Sequence, residues 1–445
     1  MRQERTIQAS IFDLFAGHEI GRELKAMSGW LDEHPALAGL VAKDLRCSGV
    51  KETGRHGLPA ESVLRCALLK QHRQLSYEEL AFHLEDSASF RAFARLPLSW
   101  TPKKSVLHKT ISAIRAETWE AINRTVLSSA RAEKVETGGI IRLDSTVTTA
   151  LMHEPSDSSL LWDAVRIMAR MLKAAQSLSG AKIAWRDRRR AAKRRAYAIQ
   201  FTRKRPKRIE HYRELIKITR AMLADLDEAQ ARLQPLQGRT ARRLQAALAR
   251  HRPLIRQIIS QAERRVLQGE LVPAGEKIVS LFEPHADIIV KGGRCAQYGH
   301  KLNLIAGRSG LILDLVIEDG NPPDSERFLL MIDRHIAFYG RPPRQAAADG
   351  GYASLDNLSR AKARGVRDMA FHKKAGLTIE DMVKSRWVYR KLRNFRAGIE
   401  AGISCLKRAY GLARCTWRGL PRFKAYVWSS VAAYNLALFA RLRAA

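Results

Sequence analysis

Residues 140–146 read Ile-Ile-Arg-Leu-Asp-Ser-Thr, a short apolar run that delivers one carboxylate, Asp144. β-Branched and aliphatic residues in so short a run predict a buried strand, with Asp144 at its end. A single strand-end aspartate indicates little about chemistry. Asp349 and Glu400 lie on later predicted elements, from which a metal site could be assembled together with Asp144.

The composition predicts a large basic protein with a polyanionic partner. The chain has 445 residues, enough for two or three domains at the usual size of roughly 100 to 200 residues. Its formal net charge is +34, and its sequence pI is near 10.5. This charge is far more than solubility requires, and it favours nucleic acid as the partner, with an anionic membrane surface as the alternative.

The sequence contains no evident membrane span or secretion signal. The longest apolar region, residues 426–439, is interrupted by Ser429, Ser430 and Asn435 and is shorter than the roughly 20 residues that cross a bilayer. The first fifteen residues mix charges of both signs, so we expect a cytoplasmic protein. The five cysteines include no CxxC pair, which excludes the usual zinc and disulfide patterns, and we interpret them as buried small residues.

Helical periodicity dominates the first third of the chain. Pro59 is expected to open one helix, and residues 76–79 read as a capping box for the next. A further helix is predicted over residues 106–122. Short helices with basic ends fit a DNA-binding module of the helix-turn-helix kind, and an ordinary helical bundle fits equally well.

A second helical region runs from about Leu160 to Leu267. Its apolar seam predicts an antiparallel helical hairpin or a coiled-coil dimer arm. Residues 182–208 are densely basic and only Asp187 opposes them, which favours contact with DNA phosphates over a solvated face. The expected DNA-binding residues of this region are Arg188, Arg189, Arg190, Lys193, Arg194, Arg195, Arg203, Lys204 and Arg205.

After Pro273 the pattern changes to short strands and helices. Residues 301–306 and 311–318 predict a hairpin, and a helix is expected to begin at Asp324 or Ser325. The elements that follow are a strand over 345–348 that ends in Asp349, a helix over 355–364, a strand over 367–372, and a helix over 386–408 that holds Glu400. This order predicts a central sheet with helices on its faces.

Clustered carboxylates are what two-metal phosphoryl transfer requires, because hard oxygen ligands must hold two divalent cations close together. On the last predicted helix, Arg396, Glu400 and Lys407 fall within a narrow arc, which would set a metal ligand beside two cations. The alternative is an ordinary surface ion pair between Arg396 and Glu400, which contributes only a few tenths of a kcal/mol.

These residues resemble the DDE transposases of bacterial insertion sequences. The matching stretches are residues 143–146, residues 348–352, and the series Arg396, Glu400 and Lys407, which has the spacing of the family's Tyr-Arg-Glu-Lys signature with Arg393 in place of Tyr. Residues 76–80, 157–161 and 299–301 are similar to the ISNCY-type subgroup. Because 205 positions separate Asp144 from Asp349 and only 51 separate Asp349 from Glu400, the inserted domain must lie between the two aspartates.

The resemblance implies an α/β fold: an RNase H-like core of mixed sheet with flanking helices, an N-terminal all-helical domain and a long helical insertion. The expected domains are residues 1–135 for DNA binding, 136–160 with 272–420 for the catalytic core, 161–271 for the basic insertion, and 421–445 for a C-terminal helix that packs on the core.

The resemblance also implies Mg²⁺-dependent cleavage at element ends, with Mn²⁺ able to substitute, followed by attack of the 3′-OH groups on target DNA. Asp144, Asp349 and Glu400 would bind the metal, and Arg393, Arg396 and Lys407 would hold DNA. The expected partners are the terminal inverted repeats, target DNA and further copies of the chain in a dimer or higher synaptic oligomer. Two alternatives stay open: a non-catalytic DNA-binding protein, decayed or domesticated, and a host nuclease with a similar core.

Overall fold

The computed structural model describes residues 17–47, 57–97, 99–178, 183–234, 236–291, 295–372 and 376–444. These residues form sixteen helices and a mixed sheet of six strands. The chain divides into two compact units, of which the first comprises Met1–Ala150 with His300–Ala445 and the second comprises Leu151–Gly299. Each unit has its own hydrophobic core.

The elements are numbered in chain order. The helices are α1 (Glu19–Glu33), α2 (Ala36–Cys47), α3 (Ala60–His72), α4 (Tyr77–Asp86), α5 (Ala88–Phe93), α6 (Lys104–Ile111), α7 (Ala116–Ala132), α8 (Asp157–Gln176), α9 (Arg189–Phe201), α10 (Arg205–Leu233), α11 (Arg239–Ala262), α12 (Asp324–Tyr339), α13 (Leu355–Ala363), α14 (Ile379–Met382), α15 (Arg386–Ala409) and α16 (Leu420–Ala444). The strands are β1 (Ile140–Thr149), β2 (Asp287–Ile289), β3 (Gln297–Gly307), β4 (Ile312–Ile317), β5 (Gln345–Ala348) and β6 (Asp368–Phe371).

The N-terminal helices follow local signals, with one exception. Pro59 caps α3, and the predicted capping box at Ser76 is confirmed, because Ser76 and Glu79 exchange both side chain to backbone bonds. The single helix expected over residues 106–122 is wrong, since α6 ends at Ile111 and α7 begins at Ala116. Between them the backbone N–H of Arg115 donates to Asp44 at 2.9 Å, a partner 71 positions away that holds this break in place.

The sheet has the strand order of an RNase H-like core, as predicted. β1 lies between β3 and β5, β6 lies beyond β5, and β4 pairs with β3. β5 runs parallel to both β1 and β6, whereas β3 and β4 form the predicted antiparallel hairpin. β2 pairs with the first residues of β3. Helix α15 packs across β1, β5 and β6, and this places it directly over the middle of the sheet.

The polar residues of α16 have structural partners. Asn435 is completely buried, and its amide nitrogen donates to the side chain of Asn123 and to the carbonyl of Ile312, each at 2.7 Å. Its amide oxygen accepts from the backbone N–H of Ile312 at 2.8 Å. One satisfied amide therefore joins α16 to α7 and to the edge strand β4. Within the described ranges, no helix is long and apolar enough to cross a membrane.

The unit Leu151–Gly299 is a body of four helices, α8 to α11, around an apolar core. It is broader than the predicted two-helix hairpin, because α8 and α9 contribute to the same core as α10 and α11. The loop expected to reach Leu160 ends earlier. Ser156 forms a capping box with Ser159, so residues 157–161 are the first turns of α8.

The cysteines do not share one environment. Cys66 and Cys415 are buried, and Cys405 is partly buried. Cys47 and Cys295 are exposed, so the interpretation of all five as buried small residues is wrong for these two.

Candidate active site

The register of two parallel strands brings Asp144 and Asp349 together. β1 and β5 pair with Leu143 opposite Ala348, where β5 ends. The next residue on each chain segment is an aspartate, so the two carboxylates follow from neighbouring strand positions. The sequence had predicted that the strand ends at Asp144. This is wrong, because β1 continues to Thr149.

One guanidinium connects the three predicted carboxylates. Arg396 on α15 contacts Asp144 at 2.8 Å and Asp349 at 3.4 Å through Nη2, and it contacts Glu400 at 2.8 Å through Nη1. The Asp144 side chain is 8% exposed and that of Glu400 is 63% exposed. The sequence alone left open that Arg396 and Glu400 form an isolated surface ion pair. In the structure this pair belongs to a larger, partly buried cluster of charged residues.

The cluster has the charge and the donor atoms that suit a divalent cation. Three carboxylates and one guanidinium leave two negative charges, and all of the acidic donors are hard oxygens. No three acidic, histidine or cysteine side chains in the described part of the chain come close enough to share one ion, and Arg396 lies among the three carboxylates. The buried Nε of Arg396 has no hydrogen-bond partner. The three carboxylates are therefore the kind of donor set that a divalent cation requires, and in this structure Arg396 pairs with all three of them.

A further acid, Asp324, supports the site and was predicted only as a helix start. It stands at the first position of α12, where it contacts the Lys301 ammonium at 2.6 Å and accepts from the Ser145 hydroxyl at 3.0 Å. The backbone N–H of Ser145 in turn donates to Asp144 at 2.7 Å. The residue after Asp144 is thus held by an ion pair between α12 and β3. The sequence feature that could have indicated this role is Lys301, which lies in the matched stretch of residues 299–301.

Tyr352 closes the buried side of the site. Its hydroxyl donates to the side-chain oxygen of Asn303 at 2.5 Å. Burial raises the pKa of Tyr352 well above its ordinary value, and the negative charges of Asp324 and Asp144 raise it further. The phenol therefore stays protonated and acts as a hydrogen-bond donor next to the carboxylates.

The other two predicted residues of α15 lie apart from this cluster. Lys407 is eleven residues after Arg396, or about 16 Å further along the helix axis. It lines a separate cavity of about 450 Å³. Arg393 is exposed on α15. The sequence had predicted that Lys407 lies beside Glu400 and Arg396. The structure places Lys407 at a separate cavity instead.

The basic stretch of the second unit is less uniform than its sequence suggests. Arg188 pairs with Asp225 at 2.5 Å, Arg189 pairs with Asp187, and Arg195 pairs with Glu214. Lys182 lies outside the described residues. The remaining predicted cations are exposed and make no ion pair with any described residue; we call them the basic patch, and they are Arg190, Lys193, Arg194, Arg203, Lys204 and Arg205.

The basic patch borders a groove that contains aromatic side chains. A cavity of about 870 Å³ is lined by Lys193 and Arg205 together with Trp162 and other residues of the same unit. Tyr197 also lines the cavity. Tyr197 and Phe201 are 64% and 62% exposed, and their ring centroids lie 4.5 Å apart. Cations that follow a groove with exposed aromatic rings are typical of surfaces that bind nucleic-acid strands. Sequence reasoning missed this aromatic pair, which is visible as Tyr and Phe one helical turn apart.

Two family models match the chain. Residues 286–436 match the model described as "Transposase DDE domain", and residues 16–117 match the one described as "Transposase domain (DUF772)". The first match contains Asp349, Arg396 and Glu400, whereas Asp144 lies outside it and joins them through the pairing of β1 with β5. No curated protein and no solved structure matches the chain.

Proposed function

Because the chain belongs to the DDE transposases of insertion sequences, we propose that it cleaves the ends of its element and transfers the 3′-OH strands to target DNA. The observation that carries this proposal is the gathering of Asp144, Asp349 and Glu400 around Arg396 on an RNase H-like sheet. The net charge of +34 supports DNA as the substrate.

We propose that Asp144, Asp349 and Glu400 hold Mg²⁺, with Mn²⁺ able to take its place. When bound to such carboxylates, divalent ions activate a water and stabilise the leaving oxygen of a phosphodiester. The chain's own residues prepare the ligands. The Ser145 N–H fixes one oxygen of Asp144, and Glu400, as the most exposed of the three, is the acid that turns most easily from Arg396 toward an ion.

A cleavage and joining assay tests the proposal directly. The full chain is incubated with labelled duplexes that carry the element's terminal repeat, with Mg²⁺ and a target plasmid. We expect new 3′-OH ends and joined products, both of which disappear with a chelator. Cutting without joining would favour a host nuclease, and salt-sensitive binding without cutting would favour a decayed or domesticated DNA-binding protein.

The basic patch is proposed to grip DNA phosphates without sequence preference. Changing Arg190, Lys193 and Arg194 to Gln is expected to flatten the slope of log affinity against log salt by up to about 2.7, because each lost phosphate contact removes about 0.9. The measurement is DNA binding at several salt concentrations with a duplex of unrelated sequence.

The chain offers a matched control for this test. Arg188, Arg189 and Arg195 lie in the same stretch but already have acidic partners. Their replacement by Gln removes equal formal charge and is expected to change the slope less. An equal change in the two triple variants would show that net charge alone, and no particular surface, governs binding.

Asp324 is proposed to position Lys301 and Ser145 beside Asp144. Asp324→Asn is expected to slow cleavage about 10- to 100-fold, as is usual when a residue behind a metal ligand is lost. The concentration of Mg²⁺ needed for half-maximal cleavage should rise as well. Asp333→Asn is the control, because Asp333 sits on the same helix in an exposed pair with Arg364. Unchanged Mg²⁺ dependence in Asp324→Asn would argue against the positioning role.

A further inference from the structure

A cavity near the end of α15 is lined by none of the residues of the carboxylate cluster. Its volume is about 450 Å³, within the range of roughly 300 to 1,000 Å³ typical of small-molecule sites. Its lining includes Lys70 and Tyr77 from the N-terminal helices, Lys407 from α15, and Arg414 and Trp417 from the segment before α16. Arg414 is exposed, so the cavity opens to solvent. All of its lining lies in one compact unit.

Two buried donors in this lining lack partners. The indole Nε1 of Trp417 and the hydroxyl of Tyr77 are buried and make no hydrogen bond. Trp417 is 7% exposed as a whole residue. A buried polar group without a partner is unfavourable, and such groups are rare in folded proteins. Because an indole N–H can only donate, the missing partner of Trp417 must be an acceptor.

The charged side chains of the lining also favour a negatively charged ligand. Lys70 is 6% exposed, and its ammonium lies 4.8 Å from the centroid of the Tyr77 ring. Burial lowers the pKa of Lys70 to about 8, which reflects how few solvating groups surround its charge. With Lys407 and Arg414 the lining has three cations against one carboxylate, that of Glu79.

That carboxylate is already engaged. Glu79 accepts from the backbone N–H of Ser76 at 2.7 Å, as part of the capping box of α4. Among its own side chains the lining therefore has more positive than negative charge. A phosphate monoester has close to two negative charges at neutral pH and several acceptor oxygens.

We propose that this cavity binds the phosphate group of a nucleotide, with Tyr77 and Trp417 donating hydrogen bonds to it and Lys70, Lys407 and Arg414 balancing its charge. The inference rests on the proposed function only in that DNA is the expected source of the nucleotide. A free nucleotide offers the same phosphate chemistry.

Binding by single-group variants tests the proposal. The full chain without Mg²⁺ is titrated with a 5′-phosphorylated tetranucleotide of single-stranded DNA and, separately, with a deoxynucleoside 5′-monophosphate. Tyr77→Phe and Trp417→Phe are each expected to weaken binding of the preferred probe about tenfold. Tyr77→Phe should leave the melting temperature of the free protein unchanged or slightly higher, because it removes a hydroxyl that has no partner.

Tyr339→Phe is the matched control. The Tyr339 hydroxyl is likewise buried without a partner, but it lies outside the cavity. Its removal should leave binding of both probes at the wild-type level. Wild-type affinity in both Tyr77→Phe and Trp417→Phe, or an equal loss in Tyr339→Phe, would overturn the proposal.

The two probes distinguish the source of the phosphate. Tighter binding of the tetranucleotide assigns the site to a DNA strand, and equal binding of the monophosphate assigns it to any nucleotide; both results support a phosphate site. The assay needs neither metal nor cleavage. A failure of the proposed catalysis would therefore leave this result unaffected.

Discussion

Asp144→Asn is expected to lower the rate of DNA-end cleavage about 1,000-fold. Asn offers one neutral oxygen where Asp144 offers a charged carboxylate, so the ligand set loses its most buried negative charge. Loss of about 4 kcal/mol of transition-state stabilisation corresponds to this factor. The measurement is single-turnover cleavage of a labelled terminal-repeat duplex in Mg²⁺, with DNA binding measured in parallel.

The control for this variant is Asp314→Asn. Asp314 is also a buried strand aspartate paired with an arginine, Arg334, at 2.5 Å, but it lies on β4 away from the carboxylate cluster. The two variants should lose comparable stability, whereas only Asp144→Asn should lose cleavage per folded molecule. A cleavage rate within tenfold of wild type in Asp144→Asn would remove Asp144 from the proposed ligand set.

Arg396→Gln is expected to destabilise the metal-free protein by about 3 kcal/mol, because it leaves a buried carboxylate without its cation. Its melting temperature should fall by about 5 °C. Without the guanidinium between them, the three carboxylates attract a divalent cation more strongly. We therefore expect Mg²⁺ and Mn²⁺ to bind about tenfold more tightly to the variant than to the wild type. Thermal unfolding at increasing metal concentration measures both effects.

Arg334→Gln separates metal binding from general stability. Arg334 forms pairs with Asp314 and Glu120, so its loss also weakens the fold. We expect metal to restore the melting temperature of Arg396→Gln and to leave that of Arg334→Gln low. Equal metal responses in the two variants would mean that Arg396 does not occupy the centre of a metal site.

Features set by neighbouring residues could be predicted from the sequence. The capping box at Ser76 depends on a residue three positions away, and the hairpin between β3 and β4 depends on its own turn. The end of β5 at Ala348 follows from the glycines after Asp349. In each case the deciding contacts lie within a few residues, where patterns in one sequence are informative.

Features set by distant partners were missed for a physical reason. β1 extends past Asp144 because its other edge pairs with β3, which begins 148 positions after Thr149. Thr149 also exchanges backbone hydrogen bonds with Ala413 and Cys415, more than 260 positions later. The role of Asp324 depends on Lys301 and Ser145, which belong to two other strands. Such contacts arise only when the fold is complete, and no local pattern encodes them.

The pairing of β1 with β5 can form only late in synthesis, because the helical unit lies between the two strands in the sequence. A ribosome synthesises β1, then the whole helical unit Leu151–Gly299, and only later β5, which begins 205 residues after β1 begins. At common rates of synthesis this delay is on the order of 10 to 40 s. The helical unit can fold around its own core during that interval, before the strand that precedes Asp349 has been synthesised. Asp144 and Asp349 can therefore come together only after the whole helical unit has been synthesised.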